Sequence, residues 1–309
     1  TQQITMRDAF GQALLDFADA FSEMVVLDAD VSSSTKTGMF AQRYPERFFN
    51  VGVAEANMVD IAGGLATCGL RPVVSTFALF LALKCADQVR NVLCYNNLPV
   101  VLAAGYAGLS DSYDGASHQS LTDLAVMRAM PNMTVVVPAD ASEVRQALQQ
   151  ALRHQGPIFL RLSRNPGPML FDDDAELKIG KIRKIRDGSD ITIAVCGIPT
   201  SFALEAAEHL ARQGVSVDLL EISTIKPLDR ETLVRSASKT GRVLTVEEHN
   251  IYGGLGGAAA EALARHCPVK MDFVGVQDCF TESGPYDELM AKYGISTAAI
   301  IEKARGLLG

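Results

Sequence analysis

The sequence has no tryptophan, and aromatic residues make up only 6% of its 309 positions. None of the six cysteines forms a CxxC pair, and no cysteine–histidine cluster has zinc-site spacing, so we expect buried, reduced thiols in a cytoplasmic protein. The most apolar stretch, residues 73–86, is interrupted by Ser75, Thr76 and Lys84, whereas a membrane-spanning helix needs about 20 apolar residues. These absences exclude a disulfide scaffold, a zinc module and a membrane span.

Positive charge is also scarce. The chain has 28 Lys and Arg residues against 36 Asp and Glu residues, a formal net charge of −8, and no basic run stands out. Because nucleic-acid binding relies on clustered Lys and Arg, we expect no nucleic-acid partner. The remaining composition is typical of a globular chain, with 48% apolar and 21% charged residues, and the length predicts about two domains.

Short apolar runs alternate with segments of helical periodicity along the whole chain. In the first half, the predicted strands are Met24–Leu27, Phe48–Val51, Pro72–Ser75, Pro99–Gly105, Thr134–Val137 and Ile158–Arg161. The predicted helices between them cover residues 4–22, 57–68, 77–94, 123–130 and 142–153. Apolar strands separated by helices indicate parallel sheets covered on both faces. The predicted fold class is therefore α/β, with two three-layer α/β/α domains.

A break in this pattern predicts the domain boundaries. The turn sequence Arg164–Pro168 and the acidic residues Asp172–Asp174 lie in a segment with few apolar residues in series. We therefore expect a first domain over residues 1–165, a linker over 166–188 and a second domain over 189–309. The second domain is smaller and again alternates strands with helices.

One glycine motif in the second domain resembles a dinucleotide-binding fingerprint. Gly254-x-Gly256-x-x-Ala259 follows the predicted strand Val243–Val246 and opens a helix. The fingerprint normally sits in the first βα unit of its domain, and glycines at such a turn also serve close backbone packing. The pattern therefore favours packing over a nicotinamide-dinucleotide site.

Glu55 is the lone acid of an apolar, small-residue segment, Asn50–Met58, at a predicted helix start. Two interpretations are open: a carboxylate that complements the helix dipole, or a buried acid whose pKa is raised by desolvation. Two further residues, Phe77 and Phe80, are three positions apart, so they form either a core contact or a face on which a flat ring stacks.

A polar loop, residues 107–119, follows the predicted strand Pro99–Gly105 and contains Asp111, Asp114 and His118. Ligands bind at the carboxyl ends of strands in open α/β sheets, so this pattern favours a functional His118. Arg164 follows another strand and is either a forked donor for an anionic group or an exposed linker residue.

These segments together resemble a known family. NVGVAEANMVDIAGGLA, STFALF followed by DQVRN, DGASHQSLTDLAVMRAMPNMTVVVPAD and RLSR resemble the pyrimidine-binding domain of transketolase. VEEHNIYGGLGGAAAEAL resembles the C-terminal domain of transketolase. The resemblance covers nearly the whole chain, with several dissimilar motifs in the right order. 1-Deoxyxylulose-5-phosphate synthase and the beta subunits of 2-oxo acid dehydrogenases share this layout.

The resemblance implies one half of a two-part enzyme. The family's diphosphate-binding domain carries a Gly-Asp-Gly signature, and this chain contains no Gly-Asp-Gly. The chain thus resembles the C-terminal subunit of a split transketolase, with a separate N-terminal diphosphate-binding subunit as its partner. The implied cofactors are thiamine diphosphate and Mg²⁺ or another divalent metal, bound mainly by that partner. The implied assembly is a heterotetramer acting on sugar phosphates, in which this chain alone is inactive and supplies no metal ligand.

The resemblance also implies roles for particular residues. Glu55 matches the catalytic glutamate that protonates or hydrogen-bonds the cofactor's pyrimidine N1′, with the physical demand that burial keeps its carboxyl protonated. Phe77 and Phe80 match the rings that cradle the pyrimidine, and Asp30 lies where the family has an acid near the cofactor. The implied reaction is transfer of a two-carbon ketol unit from a ketose to an aldose.

Further matches concern the substrate. Asp114 and His118 match residues that contact substrate hydroxyls and the carbonyl oxygen, and Arg164 matches an arginine that holds the acceptor phosphate. Tyr106 is a departure, because the family usually has a histidine twelve residues before the one that matches His118. A phenol at this position leaves the sugar substrate open.

Two other functions are compatible with the same motifs. One is the beta subunit of a 2-oxo acid or acetoin dehydrogenase, which would require a lipoyl-bearing acyltransferase partner. The other is a non-catalytic, partner-binding module that has kept the fold. The presence of Glu55, Phe77, Phe80 and His118 favours an enzyme over that module.

Overall fold

The computed structural model of the chain describes residues 3–172 and 175–309, so Asp173 and Asp174 of the predicted acidic segment lie outside the described residues. The first domain is built on a seven-stranded sheet. Its strands, in their order across the sheet, are β12 (Thr224–Lys226), β6 (Thr134–Val136), β7 (Ile158–Arg161), β5 (Val101–Gly105), β4 (Arg71–Phe77), β2 (Met24–Asp28) and β3 (Phe48–Asn50). All neighbours are parallel except β12, which runs antiparallel to β6.

Both faces of this sheet are covered by helices. One face packs on α1 (Met6–Phe17) and α8 (Ala141–Ala151), and the other on α4 (Glu55–Thr67), α5 (Ala78–Leu83) and α7 (Asp123–Ala129). Two short helices, α2 (Ser32–Thr35) and α3 (Gly38–Arg43), and a turn at Pro45–Arg47 join β2 to β3. Every residue of β2 is buried, because its side chains alternate between two covered faces. This burial explains the continuous apolar runs in the sequence.

The single helix predicted over residues 77–94 is wrong. The strand β4 extends to Phe77, and α5 ends where the Cys85 amide donates to the Phe80 carbonyl oxygen at 3.1 Å. A short helix, α6 (Ala86–Gln88), and a π-helical turn, Val89–Cys94, follow. The hydrogen bond from Cys85 to Phe80 spans five residues and ends α5, so Lys84 directly follows that helix. Apolar composition alone did not reveal this break.

The second domain is built on a five-stranded sheet. Its strands, in order across the sheet, are β14 (Lys270–Val276), β13 (Arg242–Asn250), β10 (Ile191–Val195), β11 (Val217–Glu221) and β9 (Arg183–Arg186). Its helices are α9 (Thr200–Arg212) and α13 (Thr297–Leu308) on one face, α10 (Arg230–Thr240) and α11 (Leu255–His266) on the other, and α12 (Tyr286–Lys292) near its edge. Only β9 pairs antiparallel, so the predicted class of two mostly parallel α/β/α domains is confirmed.

The two domains share strands and a core. The three-residue strand β12 comes from the second half of the chain but pairs with β6 of the first sheet. At the two ends of the segment 166–188, β8 (Pro166–Pro168) pairs with β1 (Gln3–Thr5) and β9 joins the second sheet. Buried residues of α4, α5 and α7 continue into those of α10 and α11 as one apolar cluster. The exact domain boundaries stay a prediction.

No helix within the described ranges is long and apolar enough to cross a membrane.

Candidate active site

Four rings meet where β4 and β5 end. Phe77, the last residue of β4, stacks on Tyr106 with ring centroids 4.4 Å apart. Phe80 lies 5.6 Å from Phe77, and the His118 ring meets Phe80 edge-on at 5.3 Å. The structure thus brings four of the sequence-predicted site residues together at the edge of the sheet where ligands bind in α/β folds.

Glu55 lies beside this cluster as the first residue of α4, with only 7% of its surface exposed. Its Oε1 accepts a hydrogen bond from Nζ of Lys84 at 3.0 Å. The same ammonium lies 3.9 Å from the centre of the Phe80 ring, which is a cation–π distance. Lys84 therefore fills the space between the buried carboxylate and the ring.

Tyr106 has a strained backbone. Its φ of +58° lies in the left-handed region, which bulky side chains rarely adopt, at a cost of about 1–3 kcal/mol. Nη1 of Arg7 donates a hydrogen bond to its hydroxyl at 2.8 Å, and the Arg164 guanidinium lies 5.0 Å from its ring centroid. The phenol is thus held between two arginines, and Arg7 was not among the predicted residues.

A pair of carboxyls lies next to Arg164. Asp111 is fully buried, with an oxygen 3.6 Å from the Arg164 guanidinium, whereas Asp114 is exposed. The pKa of Asp111 is raised to about 7, mainly by burial and also by the Asp114 carboxyl, whereas Arg164 lowers it. His118 completes the loop, with its Nδ1 3.0 Å from the Ser117 hydroxyl.

The second domain holds this loop in place. The Leu109 amide donates to Oε1 of Glu248 at 2.7 Å, and the Gln119 side chain donates to the Glu282 carbonyl oxygen at 3.0 Å. A Cβ on Gly108, whose φ is +66°, would lie 2.4 Å from that Glu248 oxygen. Only glycine therefore fits where the loop approaches Glu248.

Asp30 follows the end of β2, the strand that pairs with β4. It has a φ of +65° and accepts a hydrogen bond from the Asn50 side chain at 2.9 Å. The buried acid at this strand end is Asp28, whose oxygens accept hydrogen bonds from Val31, Thr35 and Thr37. Burial raises the pKa of Asp28, and these hydrogen bonds oppose that effect. Among the described contacts, Asp30 joins none of the ring pairs.

The two arginines of the RLSR segment have different surroundings. Arg161 is buried, and its guanidinium donates to Asp123 at 2.7 Å and to the backbone oxygens of Ser120 and Glu248. Those partners occupy its donors and fix the end of β7 against the second domain. Arg164 is half-buried and faces Tyr106 and the loop. Of the two, Arg164 is the one with a guanidinium open to a ligand.

The glycine motif at the start of α11 is explained by packing. The Glu247 carboxylate accepts hydrogen bonds from the backbone amides of Leu255 and Gly256 at 2.7 and 2.8 Å. A Cβ on Gly254 would meet that carboxylate, and a Cβ on Gly256 would lie 2.5 Å from the Phe273 ring. An acidic side chain thus occupies the place of a pyrophosphate, which supports the packing interpretation.

The sequence did not lead us to predict the contacts of Lys84 and Arg7, and it gave Asp111 no particular role. Lys84 was visible as the one charge in the apolar run 73–86, and that interruption was the signal. Asp111 was visible in the polar loop. Arg7 had no local signal, because its contact with Tyr106 joins residues 99 positions apart.

No group of three His, Cys, Asp or Glu side chains in the described part of the chain is arranged to hold a metal ion.

Two family models match the chain. Residues 2–168 match the transketolase pyrimidine-binding domain, and residues 180–300 match the transketolase C-terminal domain. Together they cover both halves of the structure described above.

Known proteins resemble the chain over nearly its full length. It is 40% identical to the 6-deoxy-6-sulfo-D-fructose transketolase subunit SqwH of Clostridium sp. (strain MSTE9), over 97% of this chain and 93% of that one. It is 36% identical to the 1-deoxy-D-xylulose-5-phosphate synthase of Desulforudis audaxviator, over 98% of this chain and 48% of that enzyme. A solved structure described as a split gene transketolase, inactive beta4 tetramer, is 42% identical, with a TM-score of 0.91 and 99% of both chains covered.

Proposed function

The chain belongs to the transketolase family across both of its domains, and on that premise we propose that it is the subunit of a split transketolase that supplies the catalytic glutamate. The proposed reaction is transfer of a two-carbon ketol unit from a ketose to an aldose. The observation that carries the proposal is the cluster of Glu55, Phe77, Phe80 and His118 at one edge of the first sheet.

The chemistry of Glu55 fits the pyrimidine of thiamine diphosphate. Its carboxyl is buried at a helix start, and one of its oxygens already accepts a hydrogen bond from a cationic N–H group, Lys84 Nζ. A protonated ring nitrogen presents the same kind of donor, so Glu55 would hold the proton at that nitrogen once Lys84 moves away. When bound, thiamine diphosphate supplies the carbanion chemistry that carries the two-carbon unit.

Phe77 and Phe80 fit the flat face of the same ring. Both are half-buried, their planes are tilted by 31°, and the Lys84 ammonium links the Phe80 ring to Glu55. In this proposal they stack on the pyrimidine and exclude water from the carboxyl. Water exclusion strengthens the hydrogen bond that Glu55 makes.

The residues proposed to bind the substrate lie on the His118 loop and around Tyr106. His118 and Asp114 belong to one loop and would bind the carbonyl oxygen and hydroxyls of a sugar. Arg7 and Arg164 flank Tyr106 and would bind an anionic group at the far end of that sugar. The relative from Clostridium is named for 6-deoxy-6-sulfo-D-fructose, a sulfonated ketose. We therefore propose a sugar with a phosphate or a sulfonate at its end.

The partner in this proposal is a separate subunit that binds the diphosphate and Mg²⁺ or another divalent metal. The described residues of this chain provide no cluster of metal-binding side chains. The similar split-gene structure is described as an inactive tetramer of one subunit type. That description supports an active hetero-oligomer, and we propose a heterotetramer with two copies of each subunit.

A reconstitution assay tests this function. This chain and a separate diphosphate-binding subunit would be mixed with thiamine diphosphate, Mg²⁺ and hydroxypyruvate as the two-carbon donor. Neutral glycolaldehyde, a phosphorylated aldose and a sulfonated aldose would serve as acceptors. We expect ketol products only when both polypeptides are present.

A pair that associates and binds thiamine diphosphate without transferring a ketol unit would contradict the proposal. Reduction of a lipoyl acceptor by that pair would instead indicate the 2-oxo acid dehydrogenase function. Normal turnover after substitution of Glu55 would indicate that this chain is a non-catalytic partner.

A further inference from the structure

Asp111 is a buried carboxyl for which the proposed reaction has no role. It is fully buried, and neither of its oxygens receives a hydrogen bond from a backbone amide, hydroxyl or amino donor among the described residues. Its neighbours are the Arg164 guanidinium at 3.6 Å and the Asp114 carboxyl, whose charge raises the pKa of Asp111. Asp111 thus has a cation and a second acid beside it.

The charge of Asp111 changes what Arg164 can do. Ionised Asp111 is a buried charge with one cationic neighbour, so it attracts the Arg164 guanidinium strongly. Protonated Asp111 exerts no such attraction, and Arg164 is then free to turn its forked donors towards a ligand beside Tyr106. The two states differ by one proton and need no movement of the backbone.

We propose that Asp111 is a positioning residue for the anionic end of the substrate: its carboxylate competes with that anion for Arg164, and its protonation releases the arginine to bind. This inference rests on the proposed function, in which Arg164 holds a phosphate or a sulfonate. Asp111 does not touch the substrate. It sets the affinity for the anion and couples anion binding to proton uptake.

The pH range follows from the surroundings of Asp111. Its pKa is raised to about 7, mainly by burial and also by the Asp114 carboxyl, whereas Arg164 lowers it. Other ionisable groups on the segments around this loop include Arg7, His118, Glu248 and Glu282. Burial raises the pKa of Glu248 to about 7 as well, with Arg161 and the Leu109 amide opposing that effect, so Glu248 is the main competing source of a pH effect.

Binding of sulfate to the full chain tests the inference directly. Sulfate keeps its charge between pH 6 and 8.5, and calorimetry would measure its affinity for the wild type and for Asp111→Asn, Arg164→Met and Asp278→Asn. For the wild type, competition by one carboxylate with a pKa of about 7 weakens sulfate binding by up to about 30-fold over this range. Repeating the titration at pH 7 in buffers of different ionisation enthalpy should show uptake of up to about half a proton.

The variants assign the effect to its residues. We expect Asp111→Asn to bind sulfate more tightly at pH 8.5, to lose most of the pH dependence and to lose the proton uptake. Arg164→Met should remove most of the sulfate binding, because it removes the guanidinium for which sulfate and the Asp111 carboxylate compete. Asp278→Asn, at an exposed aspartate, should behave as the wild type. Any pH dependence that remains in Asp111→Asn measures the contribution of other groups, Glu248 first among them.

Several results would overturn the inference. These are a wild-type pH dependence retained in Asp111→Asn, sulfate binding that Arg164→Met leaves intact, or wild-type binding without proton uptake at pH 7. The last measurement needs no variant, so it decides the question even if Asp111→Asn fails to fold. The assay uses no partner subunit and no thiamine diphosphate. Failed ketol transfer with intact proton-coupled sulfate binding would therefore overturn the proposed function and leave this inference standing.

Discussion

At the scale of single residues, the Glu55–Lys84 pair separates what the sequence predicts from what only the structure reveals. The sequence predicted a helix start at Glu55, and the structure confirms a helix that begins there and buries the side chain. The partner of Glu55 was not predicted, because it lies 29 positions away, beyond a strand and a helix. Tyr106 is similar: its replacement of a family histidine was evident, but its contact with Arg7 was not.

Substitution of Lys84 tests whether its ammonium occupies the place of the cofactor. We expect Lys84→Met to bind thiamine diphosphate about 2- to 5-fold more tightly in the assembled enzyme, since an ion pair of up to about 1 kcal/mol no longer has to break. Lys84→Arg keeps the charge and serves as the control. Equal affinities of Lys84→Met and the wild type, measured by calorimetry, would contradict this prediction.

Substitution of Phe80 tests the ring-stacking role. Phe80→Ala removes a face that stacks on the pyrimidine, and aromatic pairs contribute about 0.5–1.5 kcal/mol beyond the area that they bury. We expect cofactor affinity in the assembled enzyme to fall about tenfold or more. Phe280→Ala, at a side chain that is 92% exposed, should leave the affinity unchanged. A core role for Phe80 would instead lower the melting temperature without changing the affinity.

At the scale of elements, long periodic segments were predictable and short ones were not. The strands with every side chain buried, such as β2 and β5, were recognisable from their apolar runs. The three-residue β12 was not, because so short a strand has no pattern of its own and forms only by pairing with β6. The break in the predicted helix 77–94 was missed for a related reason, since it depends on one backbone hydrogen bond, from Cys85 to Phe80.

Two adjacent glycines of α11 test the packing interpretation of the glycine motif. Gly256→Ala would place a methyl group 2.5 Å from the Phe273 ring, so we expect a loss of about 1–3 kcal/mol in stability. Gly257→Ala meets only an ordinary contact, 3.4 Å from Arg128, and should be neutral or stabilise by about 0.5–1 kcal/mol in a helix. Thermal unfolding compares the two. Equal melting temperatures would contradict the packing interpretation.

At the scale of the whole molecule, the two domains are held together by buried polar groups as well as by the shared core. Arg183 of β9 contacts Glu143 of the first domain and lies 3.6 Å from Glu221 of the second. Burial raises the pKa of Glu221 well above its usual range, and the Glu143 charge raises it further. The alternation of strands and helices predicted both domains, but this junction joins distant parts of the chain and had no sequence signal.

This junction predicts how stability depends on pH. The folded-state pKa of Glu221 is raised, so the folded chain binds more protons than the unfolded chain above about pH 4, and stability falls as the pH rises. Glu221→Gln removes the like charge beside Glu143. We expect its melting temperature to exceed that of the wild type by a few degrees at pH 8, with no gain at pH 4. Glu302→Gln, at an exposed glutamate, is the control, and a gain that is equal at both pH values would contradict the prediction.

The proposed reaction depends on Glu55, so the most direct test is turnover of the assembled two-subunit enzyme with Glu55→Gln in place of the wild type. Gln keeps the shape of the side chain but cannot hold a proton in the same way, and general acid–base groups contribute about 10²- to 10⁴-fold to the rate. We expect ketol transfer to fall by at least about 100-fold, with assembly and melting temperature preserved, while Glu46→Gln at an exposed position keeps full activity. Near-normal ketol transfer by Glu55→Gln would contradict the account.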